Sequence, residues 1–305
     1  MRVLLLPDKP NWAFHSIAQS LVKYNTDKNL EISIIPIKGN ERVIKKKYTK
    51  FDMILIMGWQ TYERVNFIDP SVALVGIHSH HGWDDRKTTP EKDVDPPMKL
   101  LDFLSKFKAV NAVSQRLYSL FKRNGLEKIY YTPNGVDTDL FRCERNKPHT
   151  PFTVGYSGSK AHDWRKGVSE FILPAAKKAG VAVKMAMLSS DKYIPLAEMP
   201  KFYHEIDCYI CASSSEGFSL SVLEAASSGC PVISTRCGGS DELIRDGENG
   251  YLVERTISDI SDKIFRLKND QDLFCRMSKN MREYVVENYG WNTRTKEWID
   301  FLKNG

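Results

Sequence analysis

Glu216 and Glu224 stand eight positions apart around a glycine-bearing turn, and they are the first residues of this chain whose type and spacing suggest chemistry. The strand-like run Cys208 to Cys211 precedes them, and polar Ser213 to Ser215 end that strand. Gly217 opens a helix carrying Leu220, Leu223, Glu224 and Ala226. Gly229 and Pro231 stop the helix, and Val232-Ile233 starts the next strand. In such a β-loop-α-β unit the amides of Gly217, Phe218, Ser219 and Leu220 gather at a helix N-terminus. Such an end carries roughly half a positive charge and suits a phosphate. An ionised carboxylate only accepts hydrogen bonds, so two glutamates beside a phosphate site suit sugar and ribose hydroxyls.

Other constellations are weaker. His78, His80 and His81 follow an apolar run and precede Asp84 and Asp85, a set that includes the usual zinc ligand types. Asp93-Val-Asp95 and Asp137-Thr-Asp139 both spell Asp-x-Asp, but a three-letter match arises easily by chance in a chain of this size. Cys208 and Cys211 form a Cys-x-x-Cys inside a strand, where odd spacing sends the two thiols to opposite faces. Buried free thiols are the expectation there. Gly155-x-x-Gly158 follows a strand but lacks the full Gly-x-Gly-x-x-Gly, which argues against a nicotinamide enzyme.

The stretch from Ser213 to Val253 resembles the retaining glycosyltransferases of family 4, which have the GT-B fold. The family's paired glutamates, separated by seven residues, match Glu216 and Glu224. Gly229-Cys-Pro-Val-Ile, Gly238-Gly239, Glu242-Leu-Ile and Gly247-Glu-Asn-Gly250 follow in the family's order. The resemblance implies two Rossmann-like doubly wound parallel-sheet domains, α/β throughout. It also implies transfer of a hexose, with retention, from a nucleotide diphosphate sugar to a glycan, lipid or protein-linked acceptor.

Roles follow the motif. Arg165-Lys166-Gly167 matches the family's Arg-Lys-Gly, so Lys166 is expected on the leaving diphosphate, with Lys160 as the second cation. Such cations stabilise charge that develops as the glycosidic bond breaks. Glu216 would hold hydroxyls of the transferred sugar and Glu224 those of the ribose. Gly158, Gly217, Phe218, Ser219 and Leu220 would line the donor, and His78 would lie near the sugar or acceptor. No metal and no cofactor are expected. GDP-mannose and UDP-glucose both suit the donor, with a slight preference for a GDP sugar, and the loop Leu188 to Tyr193 would read the base. A nucleotide-sugar epimerase or hydrolase of the same fold, a non-catalytic nucleotide-sugar-binding subunit, and a metal-dependent hydrolase using His78, His80 and Asp84 remain as alternatives.

Elements must hold these residues. Short apolar runs at Arg2 to Leu6, Leu30 to Ile35, Asp52 to Met57, Val72 to Ile77, Ala109 to Val113 and Ile129 to Tyr131 predict parallel strands alternating with helices. Asn11 is the expected cap of a helix whose apolar positions include Phe14, Ile17, Ala18 and Leu21. Where many family members carry Gly-Gly after the first strand, this chain has Pro7-Asp8-Lys9-Pro10-Asn11-Trp12, and its N-terminal half is short for the family. The first domain is expected over 1–147, with Arg142 to Pro151 as a polar connector, and the nucleotide-sugar domain over 148–290. Phe152 to Tyr156 opens the second sheet and Ser157 to Lys160 turns from it. Residues 291–305 form a last amphipathic helix that is expected to return to the first domain.

Composition bounds the rest. At 305 residues the chain suits two ordinary domains, and no apolar run approaches the ~20 residues of a membrane span. Met1 to Pro7 reads as a strand rather than a signal peptide, so a cytoplasmic location is expected. A net charge of +6 is mild for nucleic acid, and no partner of that class is expected. Lys45-Lys46-Lys47 with Tyr48, Lys50 and Phe51 reads as a solvated helix face, with weak peripheral membrane contact as the other reading. A homodimer is compatible with this composition.

Overall fold

The structure, a computed structural model, describes residues 1–84, 93–142, 147–188 and 194–305. Residues 189–193 of the expected base-reading loop lie outside these, as do Asp85 and Cys143, and the side chain of Lys160 is not described. The chain forms two compact units. Among the described residues no helix is long and apolar enough to cross a membrane.

The first unit comprises Met1–Asp84, Lys92–Gly135 and Trp291–Gly305. Its strands are β1 (Arg2–Leu6), β2 (Glu31–Ile34), β3 (Met53–Ile56), β4 (Ala73–Ile77), β5 (Ala109–Ala112) and β6 (Ile129–Tyr131). They pair in parallel in the order β2-β1-β3-β4-β5-β6. Every residue of β3, β4 and β5 is buried. Such runs, apolar but for Asn111 of β5, belong to a sheet covered on both faces. The helices are α1 (Ala13–Tyr24), α2 (Glu41–Lys47), α3 (Met98–Leu104) and α4 (Gln115–Arg123). Ser114 caps α4 by accepting from the Leu117 amide. Asn11 does not cap α1: it sits in the loop with φ of 61°, and Trp12 takes the cap position without a side-chain hydrogen bond. Asparagine tolerates that left-handed backbone better than most residues, and the turn uses it so.

The last helix of the chain, Trp291–Asn304, belongs to this first unit. Trp298 is fully buried in it and donates from its indole nitrogen to Pro133 O at 2.9 Å. Phe301 is buried beside Tyr130. Trp298→Ala is expected to cost about 3–5 kcal/mol, because a buried indole leaves both a cavity and an unpaired carbonyl. Thermal unfolding of the variant checks this.

The second unit runs from Val136 to Gly290. Of the expected connector, residues 143–146 lie outside the described residues, and the described residues 142 and 147–151 fall inside this unit. Strands β7 (Thr153–Ser159), β8 (Ala182–Leu188), β9 (Cys208–Cys211), β10 (Val232–Thr235) and β11 (Gly250–Val253) form a parallel sheet ordered β11-β10-β9-β7-β8. Helices α5 (Asp163–Lys166), α6 (Leu173–Ala179), α7 (Met199–His204), α8 (Leu220–Ser227), α9 (Ser240–Leu243), α10 (Ile257–Asn269) and α11 (Gln271–Tyr289) connect and flank it. One core gathers Val154, Ile210, Ile233, Ile264 and Phe274. The final helix of the first unit follows α11 and is numbered α12.

Both sheets share one pattern. Each opening strand is followed in sequence by a strand on one side and then by the others on the opposite side. The order reverses between β1 and β3 in the first unit and between β7 and β9 in the second. Ligands of open α/β sheets bind outside the carboxyl ends of the strands at such a switch point.

Candidate functional site

The expected donor residues converge at the switch point of the second unit. After β7 the chain makes a short turn, Lys160–His162, then α5, which ends in Arg165-Lys166. Gly167 closes α5 with φ of 68°, and a Cβ there would lie 2.8 Å from Ala212 O. Both the left-handed backbone and that close approach require glycine. After β9 the chain supplies Ser213 to Gly217. The two loops are stitched together: Ser214 N donates to Arg165 O at 2.9 Å, and Arg165 Nη1 donates to Ser215 O at 3.0 Å. Arg255 braces both by donating from Nε to Ala212 O at 2.8 Å and from Nη2 to Arg165 O at 3.2 Å.

This stitching places Lys166 against Glu216. Lys166 Nζ and Glu216 Oε1 form an ion pair, and Ser213 Oγ donates to the same carboxylate oxygen at 2.7 Å. The lysine side chain is 17% exposed and the glutamate side chain 10%, so the pair is shielded from bulk water. Burial pushes the Glu216 carboxyl up, but the charges of Lys166 and Arg165 and the hydrogen bonds from Lys166 and Ser213 outweigh it. The net result is a carboxyl held below its ordinary range. Glu216 is therefore ionised, and its second oxygen has no partner among the described residues. A ligand hydroxyl is the group that oxygen would accept from.

Helix α8 begins at Leu220, later than the sequence suggests; Gly217 and Phe218 stay in the loop and Ser219 is the cap residue. Its side chain does not cap the helix but meets Ser221 Oγ at 3.0 Å. First-turn amides of a helix have no partner within it, so this end keeps its affinity for an anion. Glu224 lies along α8 and is half-buried. Tyr203 of α7 donates its hydroxyl to Glu224 Oε2 at 2.7 Å. Burial dominates the carboxyl and pushes it up to about 7, with the Tyr203 hydrogen bond acting the other way. The two glutamates thus differ: Glu216 is held below its ordinary range and is ionised at neutral pH, and Glu224 titrates near neutrality.

Gly238 and Gly239 support the loop from behind. Gly239 N donates to Gly217 O at 2.9 Å. Gly238 has φ of 55°, and a Cβ on it would lie 2.3 Å from Gly217 O. Gly238→Ala is expected to displace Gly217 and cost about 1–3 kcal/mol of stability, measured by denaturant unfolding. Gly158 lies in β7, which continues to Ser159 instead of turning after Tyr156. A Cβ on Gly158 would meet the Tyr156 hydroxyl at 2.4 Å, so this glycine makes room for Tyr156.

His78 follows β4 in the first unit. Its ring meets Phe14 edge-on with centroids 4.6 Å apart and lies 6.2 Å from Trp298. Nε2 is buried without a partner among the described residues, and burial pushes the imidazole down to about 3. His78 is neutral at any ordinary pH, so it can exchange a hydrogen bond but not carry a positive charge. His80 sits 3.3 Å from Asp93 Oδ1, and Arg116 Nε reaches both oxygens of Asp93 at 2.8 and 3.1 Å. Asp95 accepts from Asn124 at 2.9 Å, and Asp137 Oδ1 accepts the amides of Asp139 and Leu140. The two Asp-x-Asp sequences thus hold loops. Among the described residues no group of three His, Cys, Asp or Glu side chains could hold a metal ion. Cys208 and Cys211 are buried free thiols.

Sequence reasoning missed Tyr203 and Ser213 as partners of the two glutamates. Ser213 was legible as a hydroxyl three residues before Glu216. Tyr203 was not, because its contact depends on how α7 packs on α8.

Residues 163–284 match the family glycosyl transferases group 1. The chain is 25% identical over 222 residues to the capsular polysaccharide biosynthesis glycosyltransferase CapM of Staphylococcus aureus, a match covering 61% of this chain and 58% of CapM. It is 38% identical over 171 residues to the UDP-N-acetylglucosamine–peptide N-acetylglucosaminyltransferase GtfA subunit of Streptococcus pneumoniae, covering 50% of this chain and 34% of that protein. These matches span only part of the curated relatives. In solved structures the chain resembles Anabaena HepE in complex with UDP-glucose, with a TM-score of 0.73 at 14% identity over all of both chains. It also resembles TarM, with a TM-score of 0.65 at 20% identity over 83% of this chain and 55% of TarM. The chain has the GT-B fold of glycosyltransferases, and its second unit carries a match to glycosyl transferases group 1 over residues 163–284.

Proposed function

We propose that this protein is a retaining, metal-independent glycosyltransferase that moves a hexose unit from a nucleotide diphosphate sugar to a hydroxyl acceptor. The observation that carries the reading is the Lys166–Glu216–Ser213 cluster beside the uncapped start of α8, at the switch point of the unit that matches the family. The diphosphate binds at the α8 amides with Lys166 on its leaving oxygen. Glu216 accepts from hydroxyls of the sugar, and Glu224 accepts from the ribose. As the bond from the anomeric carbon to the phosphate oxygen breaks, the acceptor oxygen bonds to that carbon from the same face. The acceptor's proton passes to the departing phosphate oxygen, so no protein base is needed. Lys160, whose position in the chain follows β7, is assigned as a second cation.

A uridine donor is preferred over the guanosine donor that the sequence alone slightly favours, because named relatives use UDP-N-acetylglucosamine and a structural neighbour holds UDP-glucose. The cations and helix amides supply the positive charge that a metal would otherwise provide. The family match falls entirely in the second unit, which keeps a non-catalytic nucleotide-sugar-binding subunit as a second reading.

Incubation of UDP-glucose, UDP-N-acetylglucosamine and GDP-mannose with simple glycoside acceptors in EDTA, followed by proton NMR, tests the proposal. The expected result is nucleoside diphosphate plus a glycoside of unchanged anomeric configuration. An inverted product removes retention, and loss of turnover in EDTA removes metal independence. Binding of the donor without any turnover favours the subunit reading.

A further inference from the structure

The first unit contains a cavity of about 480 Å³ that the donor site does not use. It opens where the carboxyl ends of β3 and β4 pass into their loops, the edge at which open α/β sheets hold ligands. Trp59, Tyr62, Trp83, Leu100 and Phe103 form its walls. The rings brace one another: Phe103 lies 6.4 Å from Trp59 and 5.6 Å from Tyr62, centroid to centroid. A cavity of this size accepts a ligand of drug-like dimensions.

The polar atoms of these walls are largely committed. The Tyr62 hydroxyl donates to Ile68 O at 3.0 Å, and the Trp83 indole donates to Val94 O at 3.2 Å. Gln60 at the rim donates to His81 O at 3.1 Å. Glu63 and Lys99 complete the rim. The Trp59 indole nitrogen is buried with no partner among the described residues. A pyranose ring brings several hydroxyls, each of which must be paired when buried. Apart from the exposed rim side chains Glu63 and Lys99, the described walls offer one uncommitted donor, enough for a single hydroxyl or ether oxygen. A hydrocarbon requires none, and aromatic walls gain from excluding water around it.

The geometry points to this cavity as the seat of the hydrocarbon part of an amphipathic acceptor, with Trp59 on the oxygen that joins it to the polar part. The inference rests on the proposed transfer reaction for the word acceptor, but the cavity and its preference for hydrocarbon do not.

Calorimetric titration of the full chain with decyl glucoside below its micellar concentration, methyl glucoside and UDP separates these matters. Decyl glucoside is expected to bind saturably and methyl glucoside at least tenfold more weakly. Trp59→Ala, which removes a wall, and Glu63→Trp, which adds bulk at the exposed rim, are both expected to weaken decyl glucoside tenfold or more. UDP binding should be unchanged in both, and a thermal unfolding transition like the parent's shows that the first unit of each variant is folded. Equal binding of the two glycosides would make the cavity a sugar site and overturn the inference. Decyl glucoside binding unmoved by either variant would place the detergent elsewhere and overturn it too. Failure of UDP to bind, with decyl glucoside still bound, would sink the donor assignment and leave the cavity standing.

Discussion

Lys166→Ala is expected to lower turnover several-hundred-fold, within the ~10²–10³ range for loss of one preorganised group facing developing negative charge. The cation is in place before the reaction, shielded from water and held by Glu216, so it needs no reorganisation when charge appears on the leaving phosphate. The same substitution has a structural cost. Glu216 is left buried without its ion-pair partner, a loss of about 3 kcal/mol. Linkage gives that cost a direction with pH. In the native protein the depressed carboxyl adds stability above its unfolded value of 4.5, and this is lost as pH falls through the still lower folded value. Without Lys166 the carboxyl moves up, since burial is then opposed only by the Arg165 charge and the Ser213 hydrogen bond, so the variant's deficit shrinks on acidification. Lys166→Arg retains the charge and should recover most of the stability and part of the rate. Steady-state kinetics with parallel thermal unfolding at pH 5 and 8 distinguishes lost catalysis from lost folding. Wild-type turnover in a folded Lys166→Ala variant would remove Lys166 from the mechanism.

Glu224→Gln produces opposite effects on folding and on binding. A carboxyl raised from 4.5 to about 7 stabilises the folded chain fully below pH 4.5, and that contribution disappears as pH rises through about 7. The interval corresponds to about 3 kcal/mol, less a discount for the partial exposure of this side chain. At pH 8 the glutamine variant is therefore expected to be about 2 kcal/mol more stable than the parent. On the proposed assignment ribose hydroxyls would donate to the ionised form, so nucleotide affinity in the parent should rise with pH through about 7 and then level off. In the variant the affinity at pH 8 should fall about tenfold, and its pH dependence in that window should vanish. Calorimetry across pH 5.5 to 8.5 measures both quantities. A variant that binds nucleotide as tightly as the parent at pH 8 would exclude Glu224 from the ribose.

Much of this was legible before any coordinates. The parallel sheets were visible because Val3 to Leu6 of β1, and β3 and β4, are uninterrupted apolar runs of the kind a doubly covered strand buries. Glu216, Gly217 and Glu224 were visible because a glycine turn between a strand and a helix is a local pattern. What escaped depends on contacts between distant residues. The hydroxyl of Tyr203 reaches Glu224 only once α7 packs against α8. Asn11 could serve as a cap or in a left-handed turn, and the second was adopted. Phe152 to Tyr156 was read too short because Ser157, Gly158 and Ser159 look like a turn, while the neighbouring β8 supplies a full ladder of partners. The aromatic cavity of the first unit is assembled from a helical turn after β3, the loop after β4 and helix α3, and leaves no periodic trace.

The most direct test of the donor site is calorimetric titration of the protein with UDP, GDP and ADP in EDTA, repeated on Glu224→Gln. The account predicts saturable, chelator-insensitive binding of UDP ahead of the other two nucleotides, weakened about tenfold by the substitution. Absence of binding by all three would contradict it, since the cluster around Lys166 and Glu216 would then hold no nucleotide.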